Sequence, residues 1–148
     1  MSDTENKTLE AIGKILSLTR EGIINWSVAN RKNIIVNDGD NITIAFKGEY
    51  LGKSLRIYEK KYEKQVQKKN FGSLTYTMSL LHDSSRKDEY ITKQYTITIL
   101  EIIDINENSL WAFPQEDILS DLLKAIKYKS SGAQEFINEI LQDENFPF

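Results

Sequence analysis

The feature that most constrains this chain is a change of hydrophobic period. From Asn33 to about Ala112 apolar side chains alternate with polar ones, whereas the segments on either side repeat every three to four residues. Ile42, Ile44 and Phe46 alternate with Thr43, Ala45 and Lys47, and Leu55 and Ile57 with Arg56 and Tyr58. The same pattern runs through Leu74, Tyr76, Met78 and Leu80, and through Tyr95, Ile97 and Ile99. A period of two lets an antiparallel strand bury one face and wet the other. Turn-forming residues separate the runs at 37–40, 48–52, 70–72 and 82–87. The pattern predicts a meander with strands at 41–51, 53–66, 72–82 and 88–104, and a fifth at 109–113. One face of it is expected to be covered by helices and the other left to water.

The flanks read as helices. Leu9, Ile12, Leu16 and Ile23, with Ile15 beside them, form one stripe, and Ser2 with Glu5 fits a capping box at its start. Gly22 should end this helix, because glycine enters the left-handed conformation without a Cβ clash. Ile23 is then expected to fold back onto Leu18. Trp26 follows at the junction of helix and sheet, where a large aromatic side chain serves as a core plug. At the other end Pro114, Glu116 and Asp117 suit a helix start, and Ile118, Leu119, Leu122, Leu123 and Ile126 supply its stripe. Ser130-Ser131-Gly132 breaks it before a short last helix carrying Phe136, Ile137, Ile140 and Leu141. The reading is a single α+β domain over 1–148, with 143–148 as a loose tail and two C-terminal helices packed on one face of the sheet.

The 148 residues contain no cysteine, which removes disulfides, thiolate metal sites and thiol nucleophiles. The polar N-terminus does not read as a secretory signal, and no apolar run approaches the roughly 18 residues of a membrane span. The expectation is a cytoplasmic protein without a membrane partner. Charge is uneven along the chain: net −1 over 1–30, +5 over 31–93 and −7 over 94–148. Such asymmetry can mark where partners bind, or only that oppositely charged faces of one domain sit apart.

Motifs for chemistry are weak. His82-Asp83-Ser84 holds three triad residue types, but consecutive residues at a turn point apart rather than converge. Asp104-Ile105-Asn106-Glu107-Asn108 opens like a calcium loop, yet Ser109 and Gln115 stand where that loop needs glycine and glutamate. It reads as a β-turn. No phosphate-cradling glycine motif is present. The expected protein is therefore not an enzyme, and holds no cofactor and no metal.

One segment carries an interaction signal. Between Tyr58 and Lys69 lie five lysines and two tyrosines, and in an extended strand Tyr58, Lys60, Tyr62, Lys64 and Lys68 share one face free of acid. Such a face can meet phosphates and stack bases. The plainer reading is a solvated arm whose lysines discourage edge aggregation.

The order of helix, Gly22-x-x-x-Trp26, antiparallel meander and leucine-rich helix resembles a widespread group of small uncharacterised bacterial α+β domains. The resemblance is carried by EGIINW at 21–26 and DILSDLLKAI at 117–126. It implies a fold and no activity. The function expected is non-catalytic binding through protein–protein contact, as in an immunity protein or antitoxin, with the acidic C-terminal third opposing a basic partner. A nucleic-acid-binding accessory using the arm at 58–69 is the alternative, and a homodimer stays open.

Overall fold

In the computed structural model, which describes residues 3–67 and 90–143, the chain forms an α+β fold. Helix α1 (Asp3–Arg20) leads into strands β1 (Trp26–Val28), β2 (Asn41–Tyr50), β3 (Lys53–Gln67), β4 (Tyr90–Ile103) and β5 (Ser109–Ala112). Helices α2 (Ile118–Ser130) and α3 (Ala133–Gln142) follow. The strands lie in sequence order, each antiparallel to the next.

Gly22 ends the first helix as its position implies. At φ +78° it lets its own N–H donate to the Thr19 carbonyl at 3.1 Å and that of Ile23 to Leu18 at 2.9 Å, which satisfies two carbonyls the helix leaves open. The side chains depart from expectation by one residue: Ile23 is exposed and Ile24 is the buried one. The expected cap residue Ser2 lies outside the described residues. Helix α2 begins at Ile118, four residues beyond Pro114.

The expected strand at 72–82 lies outside the described residues; among those described, β3 pairs with β4 from Ser54↔Ile103 to Gln67↔Tyr90. One correction concerns the sheet. Trp26–Val28, read as a junction, forms an edge strand against β2, with Val28↔Phe46 and Trp26↔Gly48 as partners.

The second face is not simply wet. On the helix side, Ile12, Ile15, Leu16 and Leu18 of α1 and Leu119, Leu122, Leu123 and Ile126 of α2 share one core with Phe46, Leu55, Ile57 and Leu100. On the opposite side Ala29, Ile34, Ile42, Ala45 and Tyr58 form a smaller core, with Val36 and Ile99 against it. A β-bulge explains how one strand serves both. Ile42 pairs with Lys60 and Ile44 with Glu59, so Thr43 is an extra residue that breaks the alternation. Ile42 therefore joins the small core while Ile44 packs against the large one, although alternation alone puts them on one face. The segment 29–36, which includes a single 3₁₀ turn at Arg31–Asn33, supplies the cover.

Beyond the Asn41↔Lys61 pair β2 ends, and β5 accompanies β4 only at Glu101–Ile103. Among the described residues, 62–67 and 90–96 therefore continue as a two-stranded ribbon without a third strand. Helix α3 packs against α2, and none of its side chains is buried.

Candidate functional site

The face singled out in the sequence divides along its length. At its base Tyr58 is buried in the small core and is not available to a partner. Burial pushes its phenol up to about 12; the Glu101 carboxylate adds to the shift and the Arg56 guanidinium opposes it. Next outward, Lys60 is half-buried, with its ammonium 3.7 Å from an Asp40 carboxylate oxygen and 5.7 Å from the centre of the Tyr62 ring. Tyr62 stacks on Tyr95 across the ribbon, with ring centres 5.5 Å apart and planes 21° from parallel. Lys64 is exposed, and the register sets it directly opposite Lys93, also exposed. Lys68 lies outside the described residues. The structure thus keeps Tyr62 and Lys64 on an accessible surface, removes Tyr58, neutralises Lys60, and adds Tyr95 and Lys93 from a strand some thirty residues away.

Toward the other end the same face carries a buried polar network. Arg56 and Glu101 are cross-strand partners, both almost inaccessible. Arg56 Nε donates to Glu101 Oε1 at 2.6 Å, and its Nη2 lies 2.5 Å from the same oxygen. Its Nη1 donates to the Glu107 carbonyl at 2.9 Å. Glu107, held at φ +64°, places one carboxylate oxygen 3.3 Å from Lys47 Nζ while the other accepts from Asn33. One loop residue thereby ties the 3₁₀ turn, β2 and β3 together. Asp104 folds the loop on itself by accepting at 2.9 Å from the N–H groups of both Asn106 and Asn108. Those bonds, that from Asn108 first, hold its carboxyl below the ordinary range.

Sequence reasoning missed Arg56 and Glu101 because alternation assigns them to the wet face. Leu55, Ile57, Leu100 and Ile102 all belong to the helix-side core, so only the opposite signs of Arg56 and Glu101 between them hinted at a pair. A cleft of about 500 Å³ adjoins the network, lined in part by Asn25, Ser27, Lys47, Glu49, Asp104 and Glu107. Its carboxylates do not converge: among the described residues no three acidic or histidine side chains gather as a metal site would require. The Asp104–Asn108 turn is closed by its own hydrogen bonds. His82, Asp83 and Ser84 lie outside the described residues.

The third surface is α3. Ala133, Phe136, Ile137, Ile140 and Leu141 follow the three-and-four spacing of a single helical stripe. The four large side chains are 42–78 % exposed, where such a stripe ordinarily faces a core. The opposite side presents Glu135, Asn138, Glu139 and Gln142, and from 133 to the chain end there are four carboxylate side chains and no lysine or arginine. No described helix is long and apolar enough to cross a membrane.

Compared with protein-family models, curated proteins and solved structures, the chain matches none.

Proposed function

We propose that this protein is a non-catalytic binding protein that acts by protein–protein contact, and that α3 is the docking element. The observation that carries the reading is the exposed stripe of Phe136, Ile137, Ile140 and Leu141 on a helix with no buried residue. Isolated apolar residues on a surface need no explanation, but a contiguous helical stripe with polar edges is the form that groove-bound helices take. Charge selects the partner. From residue 133 to the chain end every charged side chain is acidic, so a second copy offers no opposite charge and a basic partner does. A groove that is apolar at its floor and lined by lysine or arginine at its rim satisfies both faces of the helix. Immunity proteins and antitoxins neutralising a basic toxin are the setting that fits this chemistry.

The test is co-purification with the products of neighbouring genes, comparing the native chain with a Phe136→Ser/Ile140→Ser variant. The expected result is a stoichiometric complex with one such product, lost in the variant while its thermal melt is unchanged. A complex that the variant retains would place the contact elsewhere. Turnover of a substrate by the pure protein would refute the non-catalytic reading.

A further inference from the structure

We infer that the outward half of the β3–β4 ribbon is a binding site for single-stranded nucleic acid, with Lys64 and Lys93 holding phosphate and the Tyr62–Tyr95 pair offering a stacking surface. This rests on a different part of the molecule from α3 and does not depend on the reading above. The starting point is the register. Lys64 and Lys93 are direct cross-strand partners on one face. Like charges so placed repel and weaken the strand pair that carries them. Elsewhere on the same face the cations are answered: Arg56 by Glu101, Lys47 by Glu107 and Lys60 by Asp40. Among the strand residues described on this face, Lys64 and Lys93 are the cations with no carboxylate within salt-bridge distance. The two glutamates of this part of the chain, Glu59 and Glu63, stand at odd positions of β3 and belong to the other face. An anion bridging the two ammonium groups removes the repulsion, so a phosphate is favoured there by relief as well as by attraction.

A simple anion site does not need the neighbouring aromatics, which narrow the ligand class. One residue pair inward on the same face, Tyr62 and Tyr95 stack side by side, and both remain partly exposed. Aromatic side chains one step from a cationic pair match the repeat of a single-stranded chain, in which each phosphate is followed by a base with an open π-face. A duplex keeps its bases stacked internally and would use only the lysines. Asp38 and Asp40 stand at the base of the ribbon beside Glu63 and Lys64. They would repel a strand entering the cleft they line with Lys64 and so turn the phosphate toward Lys93, which does not line it.

The experiment is fluorescence anisotropy of a labelled fifteen-nucleotide oligothymidylate titrated with the full chain at low and moderate salt. The native protein should bind, with affinity falling as salt rises. Lys64→Ser/Lys93→Ser, two changes at exposed positions with an unaltered circular dichroism spectrum, should flatten the slope of log affinity against log salt by roughly 0.7, the value for the one bridged phosphate no longer neutralised. Tyr95→Leu should weaken binding about tenfold with the salt slope unchanged, because stacking releases no counterions. Absence of binding at low salt overturns the inference. So does binding that the double lysine variant retains, or an acidic peptide that displaces the oligonucleotide at equal concentration, which would assign the site to protein.

Discussion

The indole Nε1 of Trp26 donates to the Thr19 hydroxyl at 3.0 Å, joining the first strand to the last turn of α1. That hydroxyl in turn donates to the Ile15 carbonyl at 2.8 Å, so the helix end, the Gly22 turn and β1 are fastened as one unit. The ring lies over Gly48, its cross-strand partner, where an added Cβ would come within 3.1 Å of two ring carbons. Trp26 is therefore a structural residue packed on the main core.

Trp26→Ala should cost about 3 kcal/mol in urea unfolding, the lower end for emptying a large aromatic site because the ring is only partly buried. Trp26→Phe should recover most of that, since Thr19 keeps its bond to Ile15 without the indole. A folded Trp26→Ala variant of native stability would make the ring a recognition element instead.

The Arg56–Glu101 pair predicts an asymmetric response to mutation. Glu101→Ala strands a guanidinium in the interior and should destabilise by about 3–5 kcal/mol. Arg56→Met combined with Glu101→Leu removes both charges and should lie much closer to the native chain, less the bond from Arg56 to the Glu107 carbonyl. Chemical denaturation of the single and double variants separates the two effects. Equal losses would mean that the pair contributes by shape rather than charge.

Tyr58 predicts a loss of stability in alkali. Its phenol titrates near 12 in the folded protein against 10.0 in the open chain, so the native state holds its proton more tightly. The contribution is complete below pH 10 and is lost as pH rises from 10 toward 12, with a ceiling on the order of 2 kcal/mol. Tyr58→Phe should flatten the stability profile across that window and leave the neutral range alone. A native-like slope in that variant would assign the alkaline transition to other groups.

Leu51 carries a backbone cost. It sits at φ +52° before Gly52 at φ +75°, the two-residue turn between β2 and β3, and its side chain is 83 % exposed. Both positions of such a turn need positive φ, which asparagine tolerates far better than leucine. Leu51→Asn should raise stability by about 1 kcal/mol, read as a higher melting midpoint. No gain would mean that the leucine side chain offsets the strain through its own packing.

Much of the fold is legible in the sequence because single features fix it. Gly22 ends α1, the alternation marks β2 and β3 within a residue or two, and the leucine stripe marks α2. What escapes are relationships between distant strands. Alternation tells which residues of one strand share a face, but not which face a neighbouring strand turns the same way. Ile57 and Ile99 look equivalent, yet the register pairs Ile57 with Leu100 and sends Ile99 to the opposite core. The candidate surface fails at Tyr58 for the same reason: nothing local announces that 29–36 will cover it. Lys93 and Tyr95 are invisible as partners of Lys64 and Tyr62 because only the pairing of β3 with β4 brings them together.

The extra residue at Thr43 also limits how this chain can change length over generations. On either side of it, neighbouring residues of one strand feed two different interiors, so a one-residue gain or loss within β2 would swap the destinations of Ile42 and Ile44 and expose one set to water. Lineages of this protein should therefore vary in length at the turns, and a sequence lacking the residue at position 43 should also have lost the apolar character of Ile34 and Ile42.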